Sequence, residues 1–483
     1  MVKNFKGKML PENIGKIHFI GIGGIGISAI AELLHSWGFD VQGSDSSNNQ
    51  NTARLSSKNI KIFIGQNANN INHASYVVKS SAVPDDNVEI IAAKSAGIKV
   101  LTRADMLAEI VRLKTTIAVA GTHGKTTTTS MITHLLETAN LSPSVINGGI
   151  LLNKDTNAYV GESDLLVVEA DESDGTFTKL PAAVGVITNI EAEHLDYYQT
   201  FEQLFNEFKF FVENKPFFGF TVACIDCQNV VDLVSQIDNK EIITYAIDNQ
   251  SADIRAENIQ YLGYESIFDV VINGQKFNHS DLRISNVKLS APGQHNILNS
   301  LAAIAVILKI DFNENNIING LASFAGVKRR FNKLAEINGC TIIDDYAHHP
   351  TEINISLAAA KNLANSTSGK VIAVIQPHRY SRVKELMQEF TECFNNADVI
   401  YLTDIYSAGE DPLLDITSQT LATKVINNDN NKTISCLSDF NDLPDIILNS
   451  GENGDVLIFM GAGDITSHAS QFVNKFHDKI SNM

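Results

Sequence analysis

The stretch TTIAVAGTHGKTTTTS, residues 115–130, decides how the chain is read. Residues 117–120 form a short apolar run of buried-strand type. Gly121, Thr122, His123 and Gly124 make a glycine-bounded loop, and Lys125, Thr126 and Thr127 open a helix. Strand, glycine loop, Lys-Thr and helix together make a phosphate-binding unit. Glycine lets backbone N–H groups approach phosphate oxygens, and the helix N-terminus adds a partial positive charge. Lys125 is placed to reach the β- and γ-phosphates of a nucleotide, and Thr126 to offer its hydroxyl to Mg²⁺. The loop is the short G-x-x-G-K-T form, because Val119 stands where a longer phosphate loop has its first glycine.

The rest of the chain surrounds this unit with α/β signals. At 483 residues it is too long for one core, and about two to four domains are expected. A net charge of −18 argues against a nucleic-acid or membrane surface. The first apolar run, residues 17–22, passes straight into glycines, so no signal peptide is expected. The longest candidate for a buried span, LAAIAVILKI, is about half a membrane-crossing length, so the cytoplasm is the expected compartment. Five cysteines are scattered. Cys224 and Cys227 form a C-x-x-C with no second pair at zinc spacing, which favours small residues in and after a strand over a metal.

Residues 16–45 read as strand, glycine turn, helix and strand. Gly21, Gly23 and Gly26 have G-x-G-x-x-G spacing, and Asp45 ends the second strand. That is the dinucleotide fingerprint, although the same turn serves any pyrophosphate. SSAV at 80–83 ends a further strand, where open α/β sheets bind ligands. A first domain, 1–114, closes near Lys114. The second, 115–326, carries two acidic strand ends. DLLVVEADESDGTF brings Glu169, Asp171, Glu172 and Asp174 together, and one carboxylate there suits Mg²⁺ on a nucleotide. VGVITNIEAEHLDYY ends in Asn189, Glu191, Glu193, His194 and Asp196; His194 is open between ligand and structural histidine. Residues 215–290 read as strands and turns. Asn296 and Asn299 open a long apolar helix, and their spacing favours capping over base recognition.

A third domain, 327–483, begins with Lys328, Arg329 and Arg330, which suit phosphate or carboxylate contacts or a solvated turn. Asp344, Asp345, Tyr346, His348 and His349 follow one strand. His378, Arg379 and Arg382 follow another, and Gly461, Gly463 and Asp464 a third. Polar clusters after successive strands place a site along one sheet edge.

With these residues in place, the chain resembles the Mur ligases along essentially its whole length, in particular the alanine-adding branch. GIGGIGISAIAELL, GSD, SSAV, TRADMLAE, GTHGKTTTTSM, EADESDGTF, TNIEAEHLDYY, PGQHNILNSLAA, GVKRRF, DDYAHHPTE, QPHRYSR and GAGD stand in the family's order. Ser173 stands where the murein-tripeptide recycling ligase, the nearest rival, usually shows tyrosine. The resemblance leaves a nicotinamide-dependent dehydrogenase as the distant alternative, one that gives GTHGKT no task.

The resemblance implies three α/β domains: an N-terminal Rossmann-like UDP-sugar domain, a central P-loop-type ATPase domain and a C-terminal Rossmann-like domain. It implies ATP-dependent joining of L-alanine to UDP-N-acetylmuramate through an acyl phosphate, with two Mg²⁺ ions, in peptidoglycan precursor synthesis. It assigns Gly21, Gly23, Gly24, Ile25, Gly26, Ser44, Asp45, Ser80, Ser81 and Arg103 to the UDP-sugar. It assigns residues 121–127 with His295, Asn296, Arg330 and Asp345 to ATP. Thr126, Glu169 and His194 go to metal. Lys125, His194, His348, Arg379 and Arg382 surround the reacting groups. Monomer and homodimer stay open. Lys209, where later Mur ligases carry a carbamylated lysine, reads as a solvated helix residue.

Overall fold

A computed structural model describes residues 2–5, 8–11 and 14–481. Ser81, Asp174, Asn239, Lys240, Ser438, Gly451 and Glu452 are excepted, as are the side chains of 2–5, 8–11, Asp196, 448–450 and 478–481. Ser81, expected at the UDP-sugar site, therefore lies outside the described residues. The chain forms two compact units, one of residues 1–255, 270–283 and 298–320, the other of 256–269, 284–297 and 321–483.

The first unit starts with a hairpin, β1 (Val2–Phe5) and β2 (Lys8–Pro11). A parallel sheet follows, built from β3 (Lys16–Ile20), β4 (Val41–Asp45), β5 (Lys61–Ile64), β6 (Ala74–Lys79) and β7 (Lys99–Thr102) in the order β5-β4-β3-β6-β7. Its helices begin on legible signals. Asn49 closes a capping box on Gln50–Ser57, and Thr102 closes one on Arg103–Arg112.

The central strands are β8 (Thr115–Ala120), β9 (Ser144–Leu151), β10 (Thr156–Tyr159), β11 (Leu165–Glu169), β12 (Val184–Ile187), β13 (Phe220–Cys224) and β14 (Glu241–Ala246). They run β10-β9-β11-β8-β12-β13-β14. Of these pairs, only β10 with β9 is antiparallel. Covered on both faces, β8 has four successive apolar residues, Ile117, Ala118, Val119 and Ala120, all fully buried. The chain leaves β8 toward β9 on one side and returns through β11 to β12 on the other. The carboxyl ends of β11, β8 and β12 thus flank a switch point, where α/β sheets bind ligands.

The segment expected as strands and turns contains β15 (Ile254–Leu262), β16 (Glu265–Ile272) and β17 (Leu282–Leu289), and also a helix, Gln228–Ser235. Its eight residues give barely two helical turns of pattern, too few to stand out in the sequence. Cys224 ends β13 and Cys227 precedes that helix; both thiols are free.

In the second unit, β18 (Asn332–Ile337), β19 (Cys340–Asp345), β20 (Val371–Ile375), β21 (Val399–Leu402), β22 (Thr433–Cys436) and β23 (Val456–Met460) run β18-β19-β23-β20-β21-β22. All pairs are parallel except β18 with β19. The helix Pro350–Thr367 starts with proline in its first turn and His349 as N-cap. Among the described residues, no helix is long and apolar enough to cross a membrane.

Candidate active site

The loop after β8 is shaped by backbone that only glycine adopts comfortably. Gly121 has φ 132° and Gly124 φ 82°. A Cβ on Gly121 would lie 2.1 Å from Thr188 Oγ1, and one on Gly124 2.6 Å from Asn299 Oδ1. The residues after β12 then clamp the loop. Thr122 N donates to Asn189 O (3.1 Å), and His123 N donates to Asn189 Oδ1 (2.8 Å). Thr188 Oγ1 donates to His123 O (2.6 Å), and Glu191 N donates to Thr122 Oγ1 (2.8 Å). His123 Nε2 is 3.4 Å from Glu191 Oε2. Thr127 is half-buried in the first turn of the helix Lys125–Thr138.

Lys125 Nζ folds back over this loop, donating to Gly121 O (2.7 Å), Thr122 O (3.0 Å) and Glu172 Oε1 (2.8 Å). Burial works to lower its pKa, but Glu172, Asp171 and Glu169 outweigh burial and raise it. Asp171 moves the other way. Burial pushes its carboxyl up, and Lys125, the Ser173 N–H and Arg103 bring it below the usual range.

Two sets of oxygen and nitrogen donors stand around Lys125. Thr126 Oγ1 donates to Glu169 Oε1 (3.1 Å), and Glu169 Oε2 accepts from Gly148 N (2.7 Å). His194 Nε2 is 3.6 Å from Glu172 Oε1 and 3.8 Å from Glu193 Oε2. Burial lowers the His194 pKa, and the two carboxylates reverse this and raise it. The ligand atoms of Glu172, Glu193 and His194 lie within 4.8 Å of one another. Glu172 Oε2 is buried with no hydrogen-bond partner among the described residues. A hydroxyl and carboxylates at these positions fit a hard divalent cation. Glu172 itself was one of four acids in the sequence cluster, and only the turn after β11 selects it. Lys209, on the helix Phe201–Glu213, is partly exposed and reaches Gln236 Oε1 (3.5 Å).

In the first sheet domain, Gly21 has φ 73°, and Gly24 N donates to Gly21 O (3.1 Å). Asp45 Oδ2 accepts from Gly23 N (2.8 Å) and Oδ1 from Ser47 N (3.2 Å). Ser80 packs against Gly21, and Arg103 Nη1 would lie 3.1 Å from a Cβ on Gly26. Ile25 is exposed at the helix start. Ser44 is fully buried.

In the second unit, Asn296 Nδ2 donates to Pro292 O (2.8 Å), in the turn just before the helix Gln294–Ile310. Asn299, whose spacing suggested a cap, belongs to the first unit, where its Oδ1 accepts from Thr128 Oγ1 (3.0 Å) and joins two helices. Asp345 is buried, accepting from Phe331 N (2.9 Å) and Ala347 N (2.7 Å), and burial pushes its carboxyl up to about 6. Arg330 lies 5.2 Å over the Tyr346 ring and 3.9 Å from Glu352. Glu352 also sits 3.3 Å from His348 Nδ1, a partner the sequence did not single out. Its signal was the first-turn position of Glu352, four residues after His348. The rings of His348 and His378 meet edge-on at 5.6 Å, and Arg382 Nη1 is 3.4 Å from His378 Nδ1. Burial depresses His295, His348 and His378 to about 4 each, helped by Arg330 at His295 and by Arg382 at His348 and His378, and opposed by Glu352 at His348 and Glu410 at His378. Arg379 is exposed, with φ 67°, at the start of the helix Tyr380–Glu385.

This arrangement, a phosphate loop at a sheet switch point with flanking carboxylates and parallel-sheet domains on either side in sequence, defines a nucleotide-using α/β enzyme with three domains. Three family models match in succession: the Mur ligase family catalytic domain over residues 16–115, the Mur ligase middle domain over 119–307, and the Mur ligase glutamate ligase domain over 329–463. The chain belongs to the Mur ligase family. It is 51% identical to the UDP-N-acetylmuramate–L-alanine ligase of Rickettsia prowazekii, covering 98% of this chain and 96% of that one. It is also 51% identical to the Rickettsia felis ligase of the same name, covering 96% and 97%. Among solved structures, it resembles the UDP-N-acetylmuramate-alanine ligase of Thermotoga maritima, with TM-score 0.78 and 30% identity, covering 96% of this chain and 100% of that one. A murein peptide ligase of Psychrobacter arcticus shares the fold, with TM-score 0.66 and 23% identity over 96% and 98%.

Proposed function

We propose that this chain joins L-alanine to the lactyl carboxylate of UDP-N-acetylmuramate at the expense of ATP. The products are UDP-N-acetylmuramoyl-L-alanine, ADP and phosphate. The observation that carries this reading is end-to-end similarity to ligases named for that reaction, with the loop lysine held among carboxylates at the switch point. The class, an ATP-dependent ligase of peptidoglycan synthesis, follows from the same relatives.

A carboxylate is a poor acyl donor because its oxygen leaves poorly. Phosphorylation by ATP makes the acyl phosphate, and the alanine amine then displaces phosphate. The first step brings two anions together, so the site must supply positive charge. Lys125 supplies one fixed cation at the loop. Thr126 with Glu169 would hold one Mg²⁺, and His194 with its neighbouring acids a second. When bound, these ions neutralise phosphate charge and polarise the reacting oxygens. The glycine turn with Asp45, Ser80 and Arg103 would receive the UDP part. His295, Asn296, Arg330 and Asp345 would contact the nucleotide. The guanidinium groups of Arg379 and Arg382 suit the alanine carboxylate, beside His348.

Phosphate release with ATP, Mg²⁺ and UDP-N-acetylmuramate, compared across L-alanine, murein tripeptide and no acceptor, tests the reading. Release is expected only when L-alanine and the sugar nucleotide are both present. Release with tripeptide alone would transfer the chain to the recycling reaction.

A further inference from the structure

Glu89 and His18 are both fully buried, and the chemistry above uses neither. Glu89 lies in the first turn of the helix Val88–Ser95, and His18 in the middle of β3. Four donors converge on the carboxylate. His18 Nε2 (3.0 Å) and Ser44 Oγ (2.6 Å) reach Oε2; Asn70 Nδ2 (2.7 Å) and Asn67 N (3.1 Å) reach Oε1. Burial pushes its pKa up, but these donors outweigh it and hold the group below the usual range. The histidine tautomer follows from the same network. Gln42 Nε2 donates to Asn70 O (2.8 Å) and stands 3.2 Å from His18 Nδ1. An amide NH₂ can only donate, so Nδ1 accepts and the ring proton sits on Nε2, facing Glu89.

One buried carboxylate therefore ties together β3, the end of β4, the loop after β5 and the helix Val88–Ser95. Its route to the ligand edge runs through Ser44. While the Ser44 hydroxyl donates to Glu89, the Ser44 carbonyl accepts both Gly21 N (2.8 Å) and Ile22 N (3.0 Å), where the glycine turn begins. The next residue, Asp45, accepts Gly23 N. With Ser44 fully buried, its hydroxyl faces Glu89 and its carbonyl faces the turn.

We infer that Glu89 is a positioning residue for the sugar nucleotide: by holding Ser44 it fixes the backbone of the Gly21–Gly24 turn that receives the pyrophosphate. This rests on the proposed reading of that turn. Ser44 then acts through its backbone, and its side chain serves Glu89.

The test uses the full chain with Glu89→Gln, Ser44→Ala and the double substitution. Calorimetry with UDP alone is run beside steady-state KM values for UDP-N-acetylmuramate and ATP. Each single change should weaken UDP binding and raise the sugar-nucleotide KM about tenfold, the size of one lost buried hydrogen bond. The KM for ATP and kcat should stay within about twofold, and the double variant should be no worse than the poorer single. Ser44→Ala removes one hydroxyl and keeps the test alive if Glu89→Gln fails to fold. Unchanged UDP binding in Ser44→Ala, or a parallel rise in both KM values, overturns the inference. Losses that multiply in the double variant also overturn it, since they would mean that Ser44 and Glu89 act separately. If the parent chain binds no UDP, the reading of the turn falls and this inference with it. If the parent binds UDP but turns over no alanine, only the reaction assignment falls.

Discussion

The ammonium of Lys125 lies 2.8 Å from Glu172 Oε1 in a nearly solvent-free pair. Two loop carbonyls and three carboxylates hold the lysine charged before any phosphate arrives. Removing it should act twice. Lys125→Ala should cut phosphate release by about 10³ or more, because no other side chain in the loop supplies charge to the transferring group. It should also lower stability by about 3–5 kcal/mol, since the buried Glu172 loses its closest cation and keeps only His194, 3.6 Å away. Lys125→Ala with Glu172→Ala should regain much of that stability and none of the activity. Denaturant unfolding beside the phosphate assay separates the two losses; a Lys125→Ala protein as stable as the parent contradicts the pairing.

Gly124 can be tested by one methyl group. Its φ of 82° lies in the left-handed region, and an added Cβ would meet Asn299 Oδ1 at 2.6 Å. Asn299 is itself held by Thr128. Gly124→Ala should therefore displace the loop from the helix and raise the KM for ATP about tenfold or more. The KM for the sugar nucleotide should change little. Equal shifts in both would argue that the loop serves another ligand.

Asn189 offers a quieter test of the same loop. Its side chain accepts from His123 N at 2.8 Å and donates to His123 O at 3.2 Å, so one amide fixes both backbone groups of a loop residue. Asn189→Ala should weaken ATP binding about 3- to 30-fold, the range for losing one or two such bonds. Asn189→Asp should be worse than neutral loss alone, because an acceptor-only group cannot serve His123 O and sets a negative charge beside the phosphates. Nucleotide titration of the two variants ranks them, and the reverse order would contradict this account.

What the sequence made legible was the scaffold and the loop. Unbroken apolar runs such as residues 117–120 announce strands covered on both faces, and glycines with Lys-Thr announce the turn that follows. Less legible was which acid does what. Glu169, Asp171 and Glu172 lie within four positions, and only the turn after β11 sends Glu169 toward Thr126 and Glu172 toward Lys125 and His194. Glu89 was invisible for a similar reason. A glutamate in the first turn of a short helix looks solvated, and its burial depends on Ser44, Asn67 and Asn70, brought close by the sheet order.

Acid should unfold this protein from its second unit. His295, His348 and His378 are each depressed to about 4, by burial first, with neighbouring cations adding to it and Glu352 opposing it at His348. An unfolded histidine titrates near 6.5, so between about pH 6.5 and 4 the unfolded chain binds more protons. The stability these groups contribute is present above pH 6.5 and lost as pH falls toward 4. Asp345 opposes them. Burial raises it from 3.8 to about 6, so near pH 5 the folded state holds one proton that the unfolded state releases. Burial raises the neighbouring Asp344 too, so three protons taken up on unfolding less one or two released leaves about one or two. Discounting the partly solvated His378, the slope is about 1.4–2.7 kcal/mol per pH unit. Urea unfolding between pH 7 and 4.5 measures it directly. His348→Gln removes one of the three imidazoles and should flatten the slope by up to about 1.4 kcal/mol per pH unit. Parent and variant slopes that coincide would mean that His348 takes up no proton on unfolding, and the assignment of the acid sensitivity to these buried rings would be wrong.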